Sequence, residues 1–328
     1  MKLSLMIAVI AGLLTSTASF ADTTIRIGHA TPEVSPIHQS LLYFEKEIEK
    51  RSNGEIEVEI YPGGQLGGVR EMTELVQSGN ITMATGASVH LSSTVNELAV
   101  LDQFLLFADE DTARNVLDGK AGQSLAKAME KQGLKSMGFM ELGFRSFTNN
   151  RAPLDSYEAF EGLRMRSADN PIAIKAWRSV DAVPIALAWG EIYSSLQQNL
   201  IFGQESALSS MLVERFFEVQ DYVSLTNHIY WPELWMANLD WYNDLSDKDR
   251  KLIDEVARET IVLERDLTMK TNNETLAALK EKGLKVNELP LADRERLGAT
   301  MNAAIEQDIR QKVGSDFYDE FMSNLNPQ

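Results

Sequence analysis

The chain has 328 residues, with 31 Lys and Arg against 48 Asp and Glu, four histidines, no cysteine and a formal charge of −17. That balance excludes a nucleic-acid surface, which needs clustered Lys and Arg to neutralise phosphates, and argues against a chain that lies on anionic lipid. Without cysteine there can be no disulfide framework, thiolate metal site or Cys nucleophile. Apolar residues make up 44%, enough for a large core, and the length fits two domains or one large one.

Met1-Lys2 precedes an apolar run from Leu3 to Leu14 and then small residues ending Ala18-Ser19-Phe20-Ala21. A positive start, a short apolar stretch and a small-x-small site make an export signal, with cleavage expected after Ala21. The run is shorter than the roughly 20 apolar residues an anchor needs, and no later segment replaces it. The mature chain is therefore expected to be secreted, most simply to a periplasm, with no direct membrane insertion. Its charge is one unit more negative, because the removed segment holds Lys2 and no acid.

Thr24 to His29 alternates polar and apolar residues, as a strand does. Ser35-Pro36 opens a helix whose apolar face is Ile37, Leu41, Leu42, Phe44 and Ile48, and Asn53-Gly54 ends it. Glu55 to Tyr61 is a second strand. A glycine-rich turn, Pro62 to Gly68, leads to a helix with Val69, Met72, Leu75 and Val76, and Ile81 to Ala84 is the next strand. This β-α-β-α-β order predicts a parallel sheet covered by helices, hence an α/β fold. Further on, Lys135 to Met140 and Leu163 to Arg166 are strand-like, Asn170-Pro171 caps a helix through Trp177, and Glu191 to Leu200 is helical. From Lys248 to Lys282 there is neither Gly nor Pro, which allows one helix of about 50 Å crossing two lobes, or two helices broken near Thr271-Asn272-Asn273. There is no internal repeat and no low-complexity linker, so interwoven lobes are expected.

Enzyme motifs are not assembled. The turn at 63–68 lacks the Lys-Ser/Thr of a P-loop and the spacing of a dinucleotide fingerprint. The histidines at 29, 38, 90 and 228 form no metal-ligand spacing, and there is no G-x-S-x-G elbow. The acidic run Asp109-Glu110-Asp111 is what a helix start favours. No catalytic residue, cofactor or metal is expected.

The informative stretch runs from Gly143 to Ser210. Gly143-Phe144-Arg145 and Gly162-Leu163-Arg164-Met165-Arg166 set arginines among apolar residues in an acidic chain. On a strand Arg164 and Arg166 share a face, with Met165 opposite. A guanidinium grips a carboxylate with two parallel hydrogen bonds, and an internal ion pair is the alternative use. Trp189, just before a helix, is either core or a wall that stacks on a ligand.

At these residues the chain resembles the DctP-type extracytoplasmic solute-binding proteins of the tripartite ATP-independent periplasmic (TRAP) transporters. The resemblance covers essentially the whole mature chain. It includes Ile27-Gly28-His29, Ser52-Asn53-Gly54, Pro62 to Gly67, the two arginine segments, Glu191-Ile192-Tyr193-Ser194-Ser195-Leu196-Gln197-Gln198, Gly203-Gln204-Glu205 and Thr226-Asn227-His228.

The resemblance implies a two-lobed periplasmic-binding-protein-like fold, each lobe a mixed β-sheet flanked by helices, with a long helix spanning both. Residues 22–143 with 232–270 are expected to form lobe I, and 144–231 with 271–328 lobe II. It implies a binding protein that captures a small organic acid by its carboxylate and delivers it to membrane permease subunits. A ligand sensor with the same fold, or a secreted enzyme acting on an organic acid, are the alternatives. The family's carboxylate-binding Arg falls on Arg166, a second Arg on Arg145, and the aromatic that packs on the ligand on Trp189. Ser206 stands where Asn is frequent, Phe202 where Asp is, and Leu101-Asp102-Gln103-Phe104 lacks a frequent Pro. Ser206 and Trp189 point away from the smallest dicarboxylates. Ser88, His29, Tyr230 and Trp231 are the candidates for the far end of the pocket, with a structural role as the alternative for each.

Overall fold

The computed structural model describes residues 23–325; the expected export signal at 1–21 lies outside them. The strands are β1 (Thr23–Gly28), β2 (Ile56–Tyr61), β3 (Met83–Ala87), β4 (Leu134–Asn149), β5 (Arg164–Ser167), β6 (Val183–Ala186), β7 (Gly203–Ala207), β8 (Tyr222–Asn238) and β9 (Lys285–Glu288). Among the described residues they form one mixed sheet in the order β2-β1-β3-β8-β4-β7-β5-β6, with β9 beside β8.

At one end β1 lies parallel to β2 and β3, as the β-α-β-α-β pattern predicts. At the other end β5 is parallel to β6 and β7. The long antiparallel strands β4 and β8 join the two ends. The fold is thus two-lobed α/β, but the lobes do not carry separate sheets: both halves hydrogen-bond into the same two strands.

β4 and β8 cross between the lobes through three irregularities in their pairing, at Ser136/Gly138, Glu141/Phe144 and Arg145/Phe147. Gly143 sits in the middle one at φ +94°, a conformation that L side chains avoid, and a Cβ there would lie 2.9 Å from Asn272 Nδ2.

Local rules explain the helices. Ser35 accepts a hydrogen bond from the His38 N–H, and Pro36 occupies the first turn of the helix Pro36–Arg51. Ile37, Leu41, Phe44 and Ile48 are buried, but Leu42 is 39% exposed: it follows Leu41 by about 100° of helical turn and so leaves the apolar face. Asn170 caps Pro171–Arg178 by accepting from the N–H groups of Ile172 and Ala173. The segment predicted as helical to Leu200 is a 3₁₀ turn at Trp189–Glu191 followed by Ile192–Gln197, and Asn199 at φ +58° ends it.

The glycine- and proline-free stretch is one unbroken helix of 35 residues, Asp247–Glu281, with no break at 271–273. Its first half packs through Ile253, Val256, Ala257 and Ile261 into a core with β1, β2 and the helix Pro36–Arg51. Its last turns place Leu279 in a second core with Ile192, Leu196, Met211 and Phe216. Polar bonds repeat the bridge: Arg51 and Tyr43 hold Glu259 on one lobe, and Asn272 Oδ1 accepts from the Ser209 N–H on the other. A third core lies under the remaining helices and runs through both lobes, including Leu101, Phe147, Trp177 and Met301. Among the described residues no helix is long and apolar enough to cross a membrane.

Candidate functional site

A cavity of about 60 Å³ lies where the lobes meet, lined by Ala30, Thr31, Val69, Ala87, Val89, His90, Leu142, Arg145, Arg166, Trp189, Ser210, Trp231 and Glu233. It shares Ala30, Val69, His90 and Trp189 with an outer cleft of about 430 Å³ that reaches the glycine turn and Arg70, whose Nη2 lies 3.9 Å from Asp169.

Strand alternation in β5 sends Met165 into the core and Arg166 to the cavity side. Arg164 uses its Nη2 on the Asn199 carbonyl, 2.8 Å away, nearer the surface. Arg166 is 1% exposed. Its Nε donates to the Leu187 carbonyl at 3.1 Å, and its Nη2 has no hydrogen-bond partner among the described residues. Burial lowers its pKa to about 10, against the pull of Glu205 and with the push of Arg145. A guanidinium in that state still carries its charge near neutrality, and among the described residues it lacks a counter-ion in contact.

Arg145 is buried as well, but its fork is engaged. Nε pairs with Glu205 Oε2, while Nη2 reaches the Glu205 carbonyl at 2.6 Å and Oε1 at 3.2 Å. Burial alone would raise the Glu205 carboxyl; Arg145 and His228 outweigh it and hold it at about 2. The guanidinium also lies 4.4 Å from the centre of the Trp231 ring. Arg145 is therefore an internal ion pair on the cavity wall, and only Nη1 is left outside these bonds.

Trp189 lines both spaces. Its Nε1 donates to Glu214 Oε1 at 2.8 Å, which fixes the ring, and the Arg166 guanidinium is 5.7 Å from the ring centre. Glu191 Oε2 accepts from the Ala188 N–H and pins the turn that carries the indole.

The structure thus gathers Arg166, Arg145, Trp189 and Trp231 on one cavity and leaves Ser206, Ser88, His29 and Tyr230 off its lining. Ser206 follows Glu205 on β7, so alternation turns it away from the Arg145 side; it shares the opposite face with Gln204, whose Nε2 donates to it at 3.2 Å. His29 bonds His38 and Thr31, each at 3.0 Å, and burial with the neighbouring His38 lowers its pKa to about 4, which makes it a neutral structural imidazole. Ser88 is fully buried between the lining residues Ala87 and Val89, its hydroxyl unpartnered among the described residues. Tyr230 packs edge-on against Phe107 and Phe144.

Sequence reasoning missed His90, Glu233, Thr31 and Ser210. Glu233 had a signal, an acid inside the apolar run from Trp231 to Ala237. Its Oε1 accepts from Thr85 Oγ1 at 2.7 Å, and burial, opposed by that bond, raises its pKa to about 7. His90 is pushed down to about 3 by burial and by Arg166 and Arg145, so it is neutral at ordinary pH. Among the described residues no group of three or more His, Asp or Glu is arranged to hold a metal ion. Chemically, among the described residues, the site offers a buried cation with an unpartnered Nη2, two indole walls, the Glu233 carboxyl and a few neutral polar groups.

The chain is similar to known proteins in sequence and fold. A family model described as bacterial extracellular solute-binding protein, family 7 (DctP), matches residues 27–312. The 2,3-diketo-L-gulonate-binding periplasmic protein YiaO of Escherichia coli is 31% identical over 278 residues, covering 84% of this chain and 85% of that protein. The structure of the sugar acid binding protein DctPAm from Advenella mimigardefordensis, in complex with galactonate, aligns with a TM-score of 0.88 at 27% identity over 92% of this chain and 97% of that one. A TRAP periplasmic solute binding protein from Desulfovibrio salexigens, with bound orotic acid, aligns with a TM-score of 0.87 at 27% identity over 92% of this chain and 99% of that one. With the family model spanning most of its length and relatives above 30% identity, this chain belongs to the family 7 (DctP) extracellular solute-binding proteins, the solute-binding components of TRAP transporters.

Proposed function

We propose that the protein is the periplasmic receptor of a TRAP transporter, exported by residues 1–21, which captures a small organic acid and hands it to the membrane permease. Arg166 anchors the ligand carboxylate, Trp189 and Trp231 wall it, and Arg145 contributes through Nη1 while held by Glu205. Lobe I comprises 22–143 with 232–270, and lobe II 144–231 with 271–328. Closure of the lobes over the ligand is the change the permease reads.

The observation that carries the reading is Arg166: a cation 1% exposed, on the cavity, with Nη2 unpartnered among the described residues. A buried charge without a partner is costly, and a carboxylate satisfies it with charge-assisted bonds. Relatives named for diketogulonate and C4-dicarboxylate binding, and a neighbour holding galactonate, support the class of ligand. Binding and release need no reaction step, and none is assigned to the cavity.

Thermal-shift screening of the mature chain tests this. Acids that bind only the folded state raise the melting temperature, by about 2.7 kcal/mol of stabilisation at one hundred times Kd. At least one organic acid is expected to do so while its neutral amide does not. Equal shifts with acid and amide would contradict the carboxylate anchor.

A further inference from the structure

We propose that Glu233 selects the class of acid: the cavity takes a monocarboxylate carrying hydroxyl groups along its chain and turns away a dicarboxylate. This rests on the carboxylate-anchor reading given above.

The charge count of the lining carries the inference. Its charged side chains are Arg145, Arg166 and Glu233. Arg145 is neutralised by Glu205, so Arg166 alone is matched to an external anion. Arg70 in the outer cleft faces Asp169. A second ligand carboxylate has no free cation to meet in the cavity.

Glu233 stands on the wall that belongs to the other half of the sheet. It pairs across β8 with Ala87 of β3 and Met140 of β4, whereas Arg166 sits on β5. Burial raises its carboxyl and the Thr85 hydroxyl opposes that rise. The side chain is 4% exposed and makes one hydrogen bond among the described residues, from Thr85. Most of its acceptor capacity is unused, because an ionised carboxyl offers about four lone-pair positions.

The neutral groups agree. Trp231 lines the cavity and its indole N–H is buried without a partner among the described residues. His90 contributes a neutral ring that can donate or accept. A hydroxyl both donates and accepts, so a chain of hydroxyls can satisfy Glu233, Trp231 and His90 together. A second carboxylate only accepts, and beside Glu233 it meets like charge in a space with little water to screen it.

Calorimetry at pH 8 on the mature chain tests this with D-gluconate, adipate and hexanoate, which share a six-carbon chain, and with D-erythronate and succinate as a four-carbon pair. At one or both lengths the hydroxylated monoacid is expected to bind about tenfold or more tighter than the dicarboxylate, since like-charge juxtaposition is strongly disfavoured. Glu233→Gln keeps the shape and removes the charge, and should narrow that ratio by about threefold or more. Glu233→Leu should weaken the hydroxylated acid about tenfold relative to hexanoate, whose alkyl chain needs no hydrogen-bond acceptor there. A preference of less than about tenfold at both lengths overturns the proposal, as does an unchanged ratio in a folded Glu233→Gln, or no binding by either hydroxylated acid. If a variant does not fold, the wild-type ratio decides. Arg166-dependent binding of dicarboxylates alone would sink this inference and leave the anchor reading intact, while binding of no acid at all would sink both.

Discussion

Arg145 holds Glu205 through its Nε and Nη2, and by doing so it leaves Arg166 as the cation of the cavity with no counter-ion in contact among the described residues. Arg145 pushes down the charge affinity of Arg166, so the two arginines without an acid between them would be a costly wall. Glu205 cancels one of them and keeps the pair compatible with burial.

Breaking that pair should be expensive. Removing one partner of a buried ion pair costs about 3–5 kcal/mol, so Glu205→Ala is expected to lose stability of that order in urea unfolding. The pH dependence has a definite sign. The folded carboxyl sits at about 2 against an ordinary 4.5, so its stabilisation is full above about pH 5 and is lost as pH falls towards 2. Urea midpoints across that range should fall more steeply for the wild type than for the variant.

Other buried carboxyls work in the opposite direction. Glu264 accepts from the Glu141 N–H at 2.8 Å and from Thr268 at 2.7 Å, yet burial raises it to about 8, and Glu233 rises to about 7. The folded chain keeps protons there that the unfolded chain releases. That stabilisation is full below the ordinary carboxyl range and is lost as pH rises through 7 and 8. Above about pH 7.5 the histidines, with an ordinary value of 6.5 and lowered values in the fold, are largely neutral in both states and oppose it little. The melting temperature should therefore fall from pH 7.5 to 8.5, where Glu264 loses its proton in the fold, and Glu264→Gln should flatten the slope. A rising melting temperature over that interval would contradict the assignment.

Gly143 joins the strand irregularity to the long helix. An alanine there is strained at φ +94°, and its Cβ would press on Asn272, which also accepts from the Ser209 N–H. Gly143→Ala is expected to cost more than about 1 kcal/mol. Adding Asn272→Ala relieves the contact but not the backbone strain, so the pair should cost less than the sum of the single changes in a double-mutant cycle.

Much of the architecture was legible because it rests on local rules. Ser35-Pro36 and Asn170-Pro171 cap as side chains of their kind do, and an uninterrupted run without Gly or Pro became one helix. β1, β2 and β3 followed from alternation and order. The long strand β4 was only partly legible, because its irregular pairing at Gly138 and Gly143 breaks the two-residue period that marks a strand, and β8, buried along nearly all its length, has no such period and was not legible as a strand. Arg166, Arg145, Trp189 and Trp231 stood out as charge or large rings in unusual company. Ser206 and His29 did not reach the cavity for reasons of facing: which side of β7 meets Arg145, and which partner takes a buried imidazole, are set by tertiary neighbours. Glu233 gained its place only when β3 and β8 paired.

The most direct measurement is calorimetry of Arg166→Ala with the acid that most stabilises the wild type, alongside a melting curve to verify folding. The account predicts a loss of about 2–5 kcal/mol in binding, the cost of leaving a buried carboxylate without its charged partner. A folded Arg166→Ala that binds the acid as tightly as the wild type would contradict it.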